Sequence, residues 1–296
     1  MELQDAFTTE GARTALKRYA RAVKSRAWSI EHKVDLYGHA QSAFGGSKIA
    51  REQRFAEFAE VYRNLRAYWQ IFRGAKRRLD AAEVFQLLER ISIGSRASGV
   101  SLLNFHLSDN LASVSRAVDS LAPIKVTSSG AFPLMTVSKI LHFFNPALFP
   151  IYDTQVIWNQ VFRKHRPAWR RFCNSEGIRQ EAEGAEWYLA YMRWGNQLLR
   201  TANADFMKNF EEWMEGIVPP DRAKDVRNLG VRGYYATAFE FSIIGASVDD
   251  VEDAAIPVTE DAVEVTVTLP RAVLARWGSV ERVAEELRRV AARDLV

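Results

Sequence analysis

The chain has 296 residues, 48% of them hydrophobic, enough for a sizeable core and too apolar for wholesale disorder. One cysteine excludes an internal disulfide and any four-cysteine zinc or iron–sulfur site, and the five histidines at 32, 39, 106, 142 and 165 form no tight cluster, so neither a metal nor another cofactor is expected. The net charge of +4 is unevenly spread: residues 251–296 hold six Arg and nine acids, leaving 34 basic and 27 acidic side chains in the first 250, a balance that suits a polyanion.

In chain order, residues 10–40 read as helix, with Ala15, Leu16, Tyr19, Ala22, Val23 and Trp28 on an apolar stripe. Ala43 to Ser47 breaks that pattern. A second helix is predicted over 48–74 with Gly74 as its stop, and a third over 80–91 with Asp80 as its N-cap. Ile93 to Ser101 is small and Gly/Ser-rich and reads as a loop. Helices are predicted again at 108–121, 134–144, 153–164, 179–201, 203–216 and 232–244, with Pro146 and Pro219-Pro220 as breaks. The tail differs in kind. Val263, Val265, Val267 and Leu269 alternate with Glu264, Thr266 and Thr268, which predicts a strand, followed by helices at 270–276 and 279–293. The expected organisation is a helical domain over 1–245, a linker over 246–260 and a small strand-helix-helix appendage over 261–296. No apolar run reaches the roughly 18 residues of a membrane span, and Met1 to Asp5 carries acids where a secretion signal is basic then apolar. A cytoplasmic protein with no membrane partner is the expectation.

The segment from Ser128 to Val156 holds the most chemistry. It reads as a tight turn at Ser129-Gly130, a buried helix from Leu134, a turn at Asn145-Pro146, and an extended piece that delivers Asp153 to the start of a new helix. Backbone N–H groups and the helix dipole favour an ionised carboxylate there. On position alone, Asp153 is a plain N-cap. Basic side chains cluster on both sides: Arg73, Lys76, Arg77 and Arg78 upstream, and Arg163, Lys164, Arg166, Arg170 and Arg171 after the helix that Asp153 opens. The second group is the better candidate for phosphate contact.

Pro150-Ile151-Tyr152-Asp153-Thr154-Gln155-Val156, with Thr136-Val137 upstream, resembles the core of the helix-hairpin-helix base-excision DNA glycosylase superfamily over about 30 residues. The resemblance implies a mainly α, helical glycosylase-like bundle, a catalytic Asp153, and DNA contacts at Ser129, Gly130 and Thr136. This chain departs from the pattern. Gly130 is followed by Ala131, Phe132 and Pro133 in place of a Gly-x-Gly, and Pro133 removes a backbone donor. The Schiff-base lysine of bifunctional members has no match at Met135, although Lys139 lies one turn later on the same face. The implied activity is a monofunctional glycosylase that flips out and hydrolytically excises a damaged or modified base from duplex DNA, with Asp153 and Lys139 as catalytic candidates and Tyr152, Trp158, His142 and Asn159 as pocket candidates. The unusual hairpin suggests modified DNA as substrate, including that of phages, and hence antiviral defence in a bacterium. The tail resembles a ribbon-helix-helix module, which implies a homodimer through 261–296. Two other classes fit the residues: a catalytically inactive nucleic-acid-binding protein on the same scaffold, and a helical dimerising interaction protein in which Asp153 is only a cap.

Overall fold

A computed structural model describes residues 1–24, 30–45, 49–91, 99–178 and 184–248. Contacts divide the chain into two units, Met1–Asp250 and Val251–Val296. The predicted tail strand, its two helices and most of the predicted linker lie outside the described residues, as does most of the predicted Gly/Ser loop. No helix among the described residues is long and apolar enough to cross a membrane.

The first unit is mainly α, as its periodicities require. The predicted helix over 10–40 is described as two, α1 (Thr9–Lys24) and α2 (Ile30–Phe44), followed by α3 (Arg51–Ala67) and α4 (Ala81–Glu89). Asp80 caps α4 in a reciprocal capping box with Glu83. The helix predicted to run to Gly74 ends at Ala67. The chain then turns through Gln70 (φ 42°) and Gly74 (φ 73°) into a strand, β1 (Ala75–Arg78), which pairs antiparallel with β2 (Lys125–Thr127). Helix α5 (Ser108–Ser120) precedes β2, and α6 (Leu134–Phe144) follows it with the predicted bounds. A π-helix (Thr154–Phe162), α7 (Arg166–Ser175), α8 (Gly184–Arg200), α9 (Phe206–Ile217), α10 (Ala223–Leu229) and α11 (Tyr235–Ser247) complete the described order. Ser247 extends the last predicted helix into the expected linker.

Helix α11 is buried from Ala236 to Ser247 and forms the axis of the core, touching α1, α8, α9 and the π-helix. Alpha-one lays Ala12, Ala15, Leu16 and Tyr19 on it. Their approach depends on Gly245, where a side chain would collide with the Ala15 carbonyl. Tyr19 and Phe241 stack there with ring centres 4.0 Å apart. Helix α6 is also buried, from Thr136 to Phe144, and bonds through Ser138 to the segment that leads into the π-helix.

Candidate functional site

Asp153 follows the extended stretch Pro150 to Tyr152, and one hydroxyl fixes that approach. Ser138 Oγ on α6 accepts from the Tyr152 N–H at 3.0 Å and donates to the Tyr152 carbonyl at 3.2 Å. The chain is thereby stitched to α6 one residue before the carboxylate. Asp153 Oδ2 then accepts from Lys139 Nζ, also on α6, at 2.7 Å. Its Oδ1 accepts from the Val156 N–H at a long 3.4 Å. The Lys139 side chain is 4% exposed and that of Asp153 is 23% exposed, so solvent reaches the pair from the aspartate side.

Under the pair lies a second set of buried charges. Lys33 on α2 donates to the Tyr19 hydroxyl at 2.8 Å and to Glu240 on α11 at 3.4 Å. Burial pushes the Lys33 pKa down and the Glu240 pKa up, each opposed by the other's charge. Lys33 and Lys139 both sit over the Trp69 ring, at 5.5 and 5.2 Å from its centre. Two cations therefore share one indole, an arrangement favoured by the negative face of the ring.

One turn along the π-helix from Asp153, a cleft of about 370 Å³ opens. Its aromatic walls are Trp158, Phe162, Trp169 and Trp187, and its polar lining includes Asn159, Arg163, Arg166 and Arg170. Trp158 is 47% exposed, whereas Phe162 and Trp169 are buried and stack with centres 4.5 Å apart. Trp158 and Trp187 approach to 5.6 Å. The volume falls within the usual range for small-ligand sites, and no carboxylate lines it among the described residues.

The structure thus brings together Trp158, Asn159, Arg163, Arg166 and Arg170 in one cleft, and Lys139 and Asp153 in one ion pair. Other predicted site residues go elsewhere. His142 is fully buried, with Nε2 2.7 Å from the Tyr37 hydroxyl and Nδ1 2.8 Å from the Phe149 carbonyl oxygen. A carbonyl only accepts, so Nδ1 carries a proton. His142 ties α2 and α6 to the 149 segment, and the reading of it as a pocket wall is corrected. Thr136 is 1% exposed and donates to the Ile71 carbonyl at 2.6 Å, so its predicted phosphate contact is corrected too. Lys164 donates to the Ser247 carbonyl at the end of α11, where a cation complements the helix dipole. Arg171 is exposed but outside the cleft lining. Tyr152 is buried edge-on against Tyr191, and the Trp187 indole N–H donates to its hydroxyl. Burial pushes its phenol pKa up, and the neighbouring Trp187 indole moderates the rise. It does not line the cleft but bonds to Trp187, which does.

Ser129 and Gly130 are exposed in the turn after β2. Gly130 has φ 71°, and its N–H points back to the Thr127 carbonyl at 3.4 Å. The connection from α5 to α6 is a 3-10 turn, a strand and a turn, a longer path than a tight hairpin. Trp69, Trp169 and Trp187 were outside the predicted site. Each comes from a different element, and only tertiary packing brings it there.

Among the described residues, no group of histidine, cysteine and carboxylate side chains is arranged to hold a metal ion. The chain matches no family model, no curated protein and no solved structure.

Proposed function

We propose that the protein binds DNA and hydrolyses the N-glycosidic bond of a damaged or modified base, with Asp153 facing the sugar. The observation that carries this reading is the isolation of that carboxylate. Asp153 is the sole acid between Asp119 and Glu176 in sequence. It is held by Lys139 at the start of the helix whose next turn walls an aromatic, arginine-rimmed cleft. A single acid kept in a long basic stretch of sequence has a use that a simple cap does not need.

The chemistry follows from the group. As the bond from C1′ to the base nitrogen breaks, its electron pair leaves with the base and positive charge builds on the sugar. A fixed carboxylate stabilises that charge. Water then adds at C1′, giving its proton to Asp153 and so to solvent, while solvent protonates the departing base. Lys139 acts as a positioning residue: tied to Asp153, it sets the carboxylate's direction, and the reaction proceeds without an imine. The cleft supplies stacking surfaces for an extruded base. Its arginines supply planar cations for phosphate.

The test is release of free base, read by mass spectrometry, from duplexes carrying different base modifications. The wild type should release one class of base, and Asp153→Asn should lower that rate about a hundredfold or more while DNA affinity is kept. Salt-sensitive DNA binding with no base release in either form would support the non-catalytic reading. Absence of any nucleic-acid affinity would leave Asp153 as a cap.

A further inference from the structure

The basic side chains before the cleft form a second surface. In β1, Lys76, Arg77 and Arg78 are all exposed, and Arg73 is exposed in the turn that leads into it. Arg77 stands opposite Val126, itself 44% exposed, and Arg78 opposite Lys125. The register shifts between Ala75 and Arg77, so Lys76 is the additional residue of a bulge. The side chains of Arg73, Lys76 and Arg77 make no hydrogen bond or ion pair with any described residue. No Asp or Glu occurs in residues 61–79 or 120–152, the two stretches that build the ribbon and its flanks.

The ribbon is anchored rather than loose. Lys125, 8% exposed, donates to the carbonyls of Ile71 at 3.2 Å and Arg73 at 2.8 Å. Thr136 on α6 donates to the same Ile71 carbonyl, and Trp69 in the same turn lies against Lys139. A cation bonded to two internal carbonyls fixes the backbone of the turn that leads into β1. Ser128 and Ser129, in the turn after β2, are exposed as well.

We infer that the β1–β2 ribbon with Arg73 is a binding surface for the phosphate backbone of duplex DNA. A two-stranded ribbon fits the major groove of B-DNA, where exposed cations on it come within reach of the phosphates that border the groove. The choice of duplex DNA among polyanions rests on the base-excision reading, because the ribbon's turn leads directly to Lys139 and Asp153.

The test is fluorescence anisotropy of the full chain with a labelled duplex, over a range of salt. Replacing Arg73, Lys76 and Arg77 together with Ala should weaken binding about tenfold or more near 0.15 M salt and flatten the slope of log K against log salt by about 2 to 3. An unchanged slope overturns the proposal, and so does a loss confined to anionic lipid vesicles or a tighter grip on single strands than on duplex. If the triple variant melts below the wild type, Arg77→Ala gives the same reading with a slope change of about one, and no change there overturns it. Asp153→Asn should keep the full slope. Ribbon-dependent binding without base release would retain this surface and remove the excision reading. Base release with unaltered binding in the triple variant would do the reverse.

Discussion

A carboxylate in the first turn of a helix ordinarily accepts that helix's own N–H groups; Asp153 divides its oxygens between this role and a lysine from another helix. The distances rank the two. The capping bond to Val156 is 3.4 Å and the bond to Lys139 is 2.7 Å, the short distance of a charge-assisted contact. The motif around Asp153 was legible because it is linear, and Lys139 because its helical spacing from Met135 is a local property. His142 was not: its polarity suggested a pocket, and only tertiary packing shows both ring nitrogens engaged inside the core. Another histidine carries a pH prediction. His165 is buried, and burial together with the Lys164 charge pushes its pKa below 6.5, so the native state favours the neutral ring. A depressed folded-state value means the stabilisation is whole above about pH 6.5 and is lost as pH falls through the native pKa. Thermal melting should therefore drop on acidification below that point, and His165→Gln should flatten the drop. An identical pH profile in the variant would refute the assignment.

Among the elements, α6 was read with its final bounds because Pro133 precedes it, Asn145-Pro146 follows it, and apolar residues fill its turns. Beta-one is not legible in the sequence. Its Ala-Lys-Arg-Arg sequence has no strand character, and its conformation comes from pairing with a segment about 50 residues away. Helix α7 is equally hard to read from sequence: its surface is dense in arginine and it carries Pro167 in its first turn, a position where proline's missing donor is harmless. The crossing of α1 and α11 was equally hidden, since a glycine inside an apolar helix does not announce which backbone it must admit. The structure shows that Gly245 admits the Ala15 carbonyl. Gly245→Ala should cost about 1 to 3 kcal/mol through overpacking, despite alanine's better helix propensity, and denaturant unfolding will show it as a lowered midpoint. A stabilised variant would mean the two helices can part without loss.

At the scale of the molecule, what matters is where acids are missing. The ribbon, the approach to Asp153 and the helix after it come from stretches without a carboxylate apart from Asp153, while residues 251–296 are net acidic. That contrast was available from composition, but the sequence alone did not show that the upstream and downstream basic groups serve different structures. The downstream group rims a cleft, and the upstream group covers a ribbon pinned to α6. The basic main body is therefore organised around two distinct surfaces.

The cleft has one further consequence, for optics. Three of the chain's eight tryptophans, Trp158, Trp169 and Trp187, line it. An arriving nucleobase that stacks on an indole provides a route for dissipating its excited state, so occupancy should dim the intrinsic ultraviolet emission. Titration with a short oligonucleotide should darken the wild type, and Trp158→Phe should lose part of that signal. Emission indifferent to every nucleic acid offered would mean that this opening receives something other than a base.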